Sequence, residues 1–165
     1  MPHTSNLDGL LLVLLAQSVA LPISWMVKAS WARPPAGWMV KATGGVPIDR
    51  SRAHGMVDQM VDAFALRSPL YLVIPPEGTR SRSEYWKSGF YHIALRARVP
   101  ILPGFLDYRS KEGGFGEPIE LTGNVTADMD VIRAFYRDAA AMARYPEKFG
   151  PIRLREEDER VGDAD

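Results

Sequence analysis

The sequence contains no cysteine among its 165 residues. Disulfide bonds and thiolate metal sites are therefore excluded, and the composition favours a cytosolic setting, where disulfides are rare. Charged residues make up 24% of the chain and apolar residues 46%, close to the averages for folded soluble proteins. A chain of this length and composition usually folds as one domain with a substantial core.

One stretch of the chain lacks charge altogether. Residues 9–27 carry no charged side chain and are numerous enough in principle to span a bilayer. Pro22 interrupts the stretch and would break a helix there. We therefore predict a buried helix followed by a strand in preference to a membrane-spanning helix. No basic segment precedes the apolar run, so a signal peptide is not expected.

Negative charge is concentrated at the carboxyl end. From Glu156 onward there are six acids and one arginine, which leaves 19 Lys and Arg residues against 14 Asp and Glu residues in the rest of the chain. A mildly basic body suits phosphate groups or an anionic bilayer surface. A surface whose charge only keeps the chain soluble is an equally good explanation.

Apolar residues alternate between helical and strand spacing along the chain. The spacing predicts helices over residues 5–18, 34–43, 51–66, 87–98 and 127–143. It predicts strands over residues 22–27, 46–48, 70–74, 99–106 and 115–121. In the last helix we expect the inward-facing side chains to be Val131, Ile132, Phe135 and Met142.

Strands that alternate with helices indicate an α/β fold. We predict a single layered domain over residues 1–150, with a mixed sheet flanked by helices. Residues 151–165 are charged and lack periodicity, so they are predicted to form a disordered tail.

His3 and Asp8 lie five positions apart at the entry to the first predicted helix. Imidazole is the natural general base near neutral pH, and a carboxylate on its far nitrogen fixes the tautomer. A purely structural role is also possible, because Ser5-x-x-Asp8 matches a helix-capping pattern. A serine hydrolase that uses Ser5 is disfavoured, since the sequence has no G-x-S-x-G elbow.

The segment Pro76-Glu77-Gly78-Thr79-Arg80-Ser81 directly follows an apolar predicted strand. In open α/β sheets, ligands bind beyond the carboxyl ends of strands. Gly78 would let the backbone approach a ligand, Thr79 adds a hydroxyl donor, and Arg80 offers a planar fork for a phosphate. Glu77 would pair with a cation or orient Arg80. The alternative is a surface turn with an exposed arginine.

Two more basic residues are candidates for phosphate contacts. Arg50 follows the short predicted strand at residues 46–48, where Asp49 would pair with it or cap the next helix. Lys87 lies near the start of a predicted helix, where the dipole does not favour a cation. That placement suggests an anion nearby.

The order of these blocks is more specific than any one of them. The chain resembles the glycerolipid acyltransferase family, which includes the 1-acyl-sn-glycerol-3-phosphate acyltransferases. That family has an H-x4-D block, a glycine-to-arginine block, a P-E-G-T-R-S block and an apolar V-P-I/V block. Here the four lie in the same order at residues 3–8, 45–50, 76–81 and 99–103, and the likeness spans about residues 2–108. The segments P-H-T-S-N-x-D, G-x-P-x-D-R-S and W-K-x-G-F-Y-H-I-A are similar to a short bacterial branch.

The resemblance implies a glycerol-3-phosphate acyltransferase-like fold and transfer of a fatty acyl group to a hydroxyl of a lysophospholipid or glycerol-phosphate-like acceptor. His3 would be the general base and Asp8 would orient it. Residues 99–103 would help line the acyl or acceptor site. The acceptor phosphate would be bound by Glu77, Gly78 and Arg80 with help from Arg50, and the residues themselves add Thr79 and Lys87 to this set.

The acyl donor would be acyl-CoA or acyl-carrier protein. No metal, redox cofactor or nucleic acid partner is expected. The expected location is cytoplasmic, peripheral at the inner face of the membrane.

The chain departs from the family pattern at its start. An apolar strand normally leads into the H-x4-D block, whereas only Met1 and Pro2 precede His3 here. We therefore hypothesise a truncated or misassigned start, with the first strand lacking.

Two alternative functions stay open from the sequence. One is a non-catalytic lipid- or acyl-chain-binding member of the same fold. The other is an acyltransferase that uses an amine or a non-phosphorylated acceptor.

Overall fold

The uncharged stretch folds as predicted, into a helix followed by a strand. Helix α1 spans Asn6–Ser18 and strand β1 spans Ile23–Lys28. The helix ends where Ala20 adopts a φ of 55°, two residues before Pro22. This computed structural model describes residues 6–35, 37–49, 55–79 and 81–162. Within those residues, no helix is both long enough and apolar enough to cross a bilayer.

The chain divides into two compact units. The sheet unit comprises residues 16–74, and the helical unit comprises residues 1–15 and 75–165. Each unit has buried apolar side chains of its own.

Three parallel strands form the sheet of the sheet unit. Strands β2 (Gly45–Ile48) and β3 (Tyr71–Val73) pair on either side of β1, giving the order β2-β1-β3. Because the strands are parallel, their carboxyl ends lie at the same edge of the sheet.

Helices connect the strands of the sheet unit. A 3-10 helix (Ala29–Ala32) and helix α2 (Gly37–Ala42) join β1 to β2, and helix α3 (Met56–Leu66) joins β2 to β3. Met60 and Ala63 are the buried residues of α3. The side chain of Gln59 bonds both backbone polar groups of Asp49, at 2.9 and 2.7 Å. Gly55 is the N-cap of α3, so Asp49 is not the cap.

The larger part of the helical unit begins just after β3. It contains helix α4 (Gly89–Ala97), a hairpin of antiparallel strands β4 (Gly104–Asp107) and β5 (Glu112–Phe115), and three later helices. These helices are α5 (Val125–Phe135), α6 (Ala139–Met142) and α7 (Arg155–Gly162). The core of this unit comprises Trp86, Tyr91, Val125, Met129, Ile132, Tyr136, Ala139 and Leu154.

The α/β fold with a parallel sheet flanked by helices is confirmed. The antiparallel pairing does not extend that sheet but forms a separate two-stranded hairpin. The second strand of this hairpin lies at residues 112–115, earlier than the predicted residues 115–121. Gly113 and Gly114 occupy positions in this strand, and a Cβ at either residue would press against Leu106 or the Phe105 ring across the hairpin.

The predicted helix over residues 127–143 is two helices, α5 and α6, with a break at residues 136–138. Its inward face is also different from the prediction, since Val131 is 52% exposed and Phe135 is 36% exposed. The buried positions are Val125, Met129, Ile132 and Tyr136, spaced at three to four residues.

Residues 151–162 differ from the predicted disordered tail. They include helix α7, and Leu154 just before it is only 1% exposed. Three of the acidic side chains, those of Glu156, Glu157 and Asp158, pair with groups elsewhere in the helical unit.

Candidate active site

Asp8 lies in the first turn of α1 and is only 2% exposed. Its Oδ1 atom accepts a hydrogen bond of 2.5 Å from the hydroxyl of Tyr108, which follows strand β4. The backbone N–H of Tyr108 in turn donates to the carbonyl of Met142, at 3.0 Å. A carboxylate in the first turn of a helix is favoured by the helix dipole. Asp8 is therefore a buried acid with a fixed orientation; Ser5, the other residue of the capping pattern, lies outside the described residues.

An apolar cavity of about 190 Å³ lies beside Asp8. Its walls come from β4, the residues that follow it, and helices α5 and α6. The lining residues other than Asp8 are Phe105, Leu106, Tyr108, Phe135, Tyr136, Ala139, Met142, Ala143 and Arg144. Most of these side chains are aliphatic or aromatic, so the cavity favours an apolar ligand.

Tyr136 connects this cavity with the predicted phosphate loop. Its ring lines the cavity, and its hydroxyl donates a 2.9 Å hydrogen bond to the carbonyl of Gly104. Burial raises the pKa of the Tyr136 hydroxyl well above its usual range, and the nearby Glu77 carboxylate raises it further. The hydroxyl therefore stays protonated at neutral pH.

The loop at residues 76–79 turns sharply and is tied to the start of α4. Glu77 is 9% exposed, and Gly78 has a φ of 63°, in the left-handed region that favours glycine. The backbone N–H of Lys87 donates to the carbonyl of Pro76 at 2.7 Å. A Cβ at Gly78 would lie 3.1 Å from Cγ of Lys87, so the stem of Lys87 runs along the glycine. The structure thus brings Glu77, Gly78 and Lys87 together.

Of the other predicted site residues, the structure describes Thr79. Thr79 is exposed, and its Oγ1 accepts from the backbone N–H of Ser81 at 3.2 Å, which rigidifies the turn. His3, Arg50 and Arg80 lie outside the described residues. In the part of the chain that the structure describes, no three His, Asp or Glu side chains are grouped so as to hold a metal ion.

The C-terminal segment, residues 149–158, covers the chain that leads out of this loop. The backbone N–H of Trp86 donates to the carbonyl of Arg153 at 2.8 Å. The Arg153 guanidinium stacks on the Tyr85 ring at 4.5 Å and bonds the carbonyl and carboxylate of Glu84, both at 3.2 Å. The Tyr85 hydroxyl donates to Asp158 at 2.6 Å.

Two acids of helix α7 are paired as well. Glu157 accepts from Arg133 at 2.8 Å and from the backbone N–H of Leu154 at 2.7 Å. Glu156 lies 3.6 Å from Nε2 of His92. Burial tends to raise the pKa of Glu156, but hydrogen bonds from Ser88 and His92 hold it below its usual value.

Sequence reasoning missed Tyr108, Tyr136 and the C-terminal segment. Tyr108 directly follows a strand, at the same kind of position that singled out Glu77, and this signal could have identified it. Tyr136 lies four residues after Ile132, which in turn lies three residues after Met129. This helical spacing would have placed Tyr136 on the buried face.

The chain is similar in sequence to known acyltransferases. The sequence model of the Acyltransferase family matches residues 1–106. The 1-acyl-sn-glycerol-3-phosphate acyltransferase of Escherichia coli (strain K12) is 38% identical over 73 residues, which are 41% of this chain and 29% of that protein. The protein of the same name from Salmonella typhimurium is 35% identical over 109 residues, which are 61% of this chain and 42% of that protein. The chain therefore spans less than half the length of these relatives.

The fold is similar to that of a solved structure. The crystal structure of the 1-acyl-sn-glycerophosphate (LPA) acyltransferase PlsC from Thermotoga maritima aligns with 87% of this chain and 65% of that chain, at a TM-score of 0.57 and 18% identity. This likeness concerns the fold alone. Since the family model covers more than half of the sequence, the chain belongs to the Acyltransferase family.

Proposed function

We propose that this chain transfers a fatty acyl group from acyl-CoA or acyl-carrier protein to a hydroxyl of a lysophospholipid or glycerol-phosphate-like acceptor. The observation that carries the proposal is Asp8, a carboxylate only 2% exposed that lines an apolar cavity. Burial of a carboxylate costs free energy unless the carboxylate is hydrogen-bonded, as Asp8 is, and buried carboxylates are frequent at functional sites. Asp8 also belongs to an H-x4-D block in a chain of the Acyltransferase family.

In the proposed mechanism, His3 acts as general base and Asp8 orients its imidazole. His3 takes the proton of the acceptor hydroxyl while the hydroxyl oxygen attacks the carbonyl carbon of the thioester. A C–O bond forms, and the tetrahedral intermediate collapses with cleavage of the C–S bond. The imidazolium then returns the proton to the leaving thiolate, so that no cofactor is consumed.

The apolar cavity supports binding of the acyl chain. Phe105, Phe135 and Met142 present carbon surface beside Asp8, and burial of methylene groups there contributes about 0.8 kcal/mol for each one. The acyl chain would thereby hold its thioester near the base.

The loop at residues 76–80 is proposed to bind the acceptor phosphate. The left-handed turn at Gly78 exposes backbone without a side chain, and the Lys87 stem runs beside it. Arg80, Arg50 and Lys87 would supply positive charge, while Glu77 orients a cation and Thr79 adds a hydroxyl. Because the acceptor is a lipid, we also propose that the chain works at the inner face of the membrane as a peripheral protein.

The test is acyl transfer by the purified chain with acyl-CoA and lysophosphatidic acid, followed as release of free thiol. His3→Ala should lower kcat by about 10²-fold or more, the scale of general-base effects. Asp8→Asn should also lower kcat, whereas the matched variant Asp130→Asn changes an exposed carboxylate and should not. Activity that survives in His3→Ala would refute the mechanism. Binding of acyl-CoA without thiol release would instead identify a non-catalytic acyl-chain-binding protein.

The acceptor class has its own test. Arg80→Ala should raise KM for lysophosphatidic acid. If Arg80→Ala instead transferred acyl groups to a neutral or amine acceptor at the rate of the wild-type chain, phosphate would not be the group that the loop recognises.

A further inference from the structure

We propose that the surface formed by Trp31, Trp38 and Met39, here called the tryptophan surface, docks onto an anionic lipid bilayer. The inference rests on the proposed peripheral location, but its test is separate from acyl transfer. The surface lies wholly within the sheet unit, and none of its residues belongs to the candidate active site.

The tryptophan surface exposes large side chains that folded proteins usually bury. Trp38 is 70% exposed, Trp31 is 67% exposed and Met39 is 53% exposed. All three lie in formed helical turns, Trp31 in the 3-10 helix and the other two in α2. Large exposed apolar side chains that lie this close together in the chain favour an interaction site.

A compact turn brings the 3-10 helix and the start of α2 together. The N–H of Gly37 donates to the carbonyl of Arg33 at 3.0 Å, and a Cβ at Gly37 would collide with the carbonyl of Ala32. The residues next to Trp31 and Trp38 are therefore in direct contact. Gly37 faces inward, as does Val40, whose side chain leaves no room for a Cβ at Gly45. Trp38 and Met39 are left on the outer face of α2.

The positive charge around the tryptophan surface favours an anionic bilayer as its binding partner. The stretch of residues 9–48 contains three Lys and Arg residues and no Asp or Glu. Lys28 and Arg33 are exposed, one at the end of β1 and the other just after the 3-10 helix. Tryptophan has an amphipathic ring that prefers the headgroup level of a membrane, and flanking cations are attracted to anionic headgroups. A protein partner would be expected to offer acids to these cations, and a second copy of this surface offers none from the same stretch.

The experiment measures cosedimentation of the full chain with vesicles of phosphatidylcholine alone or mixed with phosphatidylglycerol. We expect binding to the mixed vesicles that weakens as salt is added. The double variant Trp31→Ala/Trp38→Ala should bind at least about tenfold more weakly, because apolar insertion provides most of the affinity of such surfaces. The matched control is Leu66→Ala, which removes an 85% exposed side chain from α3 and should bind as the wild type does.

Three results would overturn the inference. The first is equal binding of the double variant and the wild type to the mixed vesicles. The second is equal weakening by Leu66→Ala. The third is a wild-type dimer in analytical ultracentrifugation that the double variant dissociates, which would assign the surface to a second copy.

The outcome is distinguishable from failure of the proposed function. Acyl transfer to a short-chain acceptor dispersed in water should be the same in the double variant and the wild type, and that equality also shows that the variant folds. If the wild type transfers no acyl group but binds the vesicles through the tryptophan surface, the proposed function fails while this inference stands.

Discussion

The hydroxyl of Tyr108 donates a 2.5 Å hydrogen bond to Asp8, a residue one hundred positions earlier in the chain. This bond joins the first turn of α1 to the end of the β4 strand inside the helical unit. It fixes one oxygen of a carboxylate whose proposed task is to orient a base. Tyr108 is thus a positioning residue for Asp8 in the proposed reaction.

The variant Tyr108→Phe should lower kcat about tenfold and leave KM for both substrates nearly unchanged. Loss of one hydrogen bond to a charged group costs about 1.4 kcal/mol or more, which corresponds to tenfold in rate when the bond acts in the transition state. The measurement is steady-state acyl transfer with each substrate varied in turn.

The matched control is Tyr145→Phe, which removes a hydroxyl from a ring that stacks with Lys148 and has no contact with Asp8. Its kinetics should equal those of the wild type. A Tyr108→Phe enzyme that keeps the wild-type kcat would show that Asp8 needs no such support.

Local patterns in the sequence predicted the local structure well. Helix α1, strand β1, strand β3 and helix α4 all lie within a few residues of their predicted ranges. Hydrophobic spacing and the prolines and glycines between elements determine these features over a few residues.

Contacts between distant segments were not predictable in the same way. Nothing near Asp8 in the sequence indicates Tyr108. The acids of α7 were predicted to lie in a disordered tail, and their partners Tyr85 and Arg133 are distant in the sequence. A high density of charged residues is typical of disordered segments. Here the pairing of these acids and the burial of Leu154 favour a folded segment. The roles assigned to His3, Arg50 and Arg80 stay predictions.

The cavity beside Asp8 should determine acyl-chain preference. Ala143 lines it with a small, half-buried side chain, so Ala143→Leu would fill part of the space without replacing a core residue. We expect the rate with the longest accepted acyl-CoA to fall about tenfold or more, since even one misfit methylene has an effect of that order. Rates with short chains should be unchanged.

The control for this series is Ala141→Leu, an exposed position of α6 that does not line the cavity. The measurement is kcat/KM for a series of acyl-CoA chain lengths. An Ala143→Leu profile that is uniformly lower, without a change in chain-length preference, would indicate that the acyl chain binds elsewhere.

Asp128 is a buried acid of the helical unit with several hydrogen-bond donors around it. It accepts from the Tyr91 hydroxyl at 2.7 Å, from the Thr122 hydroxyl at 2.7 Å and from two backbone N–H groups, including that of Gly123 at 3.1 Å. Burial alone would raise the pKa of Asp128, but these bonds hold it below the usual value. Asp128→Asn should lower the free energy of unfolding by about 3 kcal/mol near neutral pH, because a charged acceptor with several donors is lost.

The decrease in the free energy of unfolding caused by Asp128→Asn should depend on pH. A folded-state pKa below the unfolded value stabilises the protein at pH values above about 3.9, and the stabilisation is lost as pH falls through the folded-state pKa. The difference between wild type and Asp128→Asn in urea unfolding should therefore shrink in acid. The exposed pair of Asp130 and Arg133 provides the control, and Asp130→Asn should change stability by about 0.5 kcal/mol or less.

Arg153 should affect acceptor binding without touching the acceptor. It holds the chain at Glu84–Trp86 through stacking and hydrogen bonds, and this chain leads from the proposed phosphate loop to Lys87. Arg153→Ala should raise KM for lysophosphatidic acid about fivefold to tenfold, the effect of losing about 1 kcal/mol of positioning, while KM for acyl-CoA stays the same. Gly150→Ala should act in the same direction, because its Cβ would collide with the carbonyl of Ser83.

The matched control is Arg137→Ala, which changes an exposed side chain, and the measurement is steady-state kinetics with each substrate varied in turn. Equal rises in both KM values would mean that the C-terminal segment stabilises the whole helical unit and does not position the loop in particular.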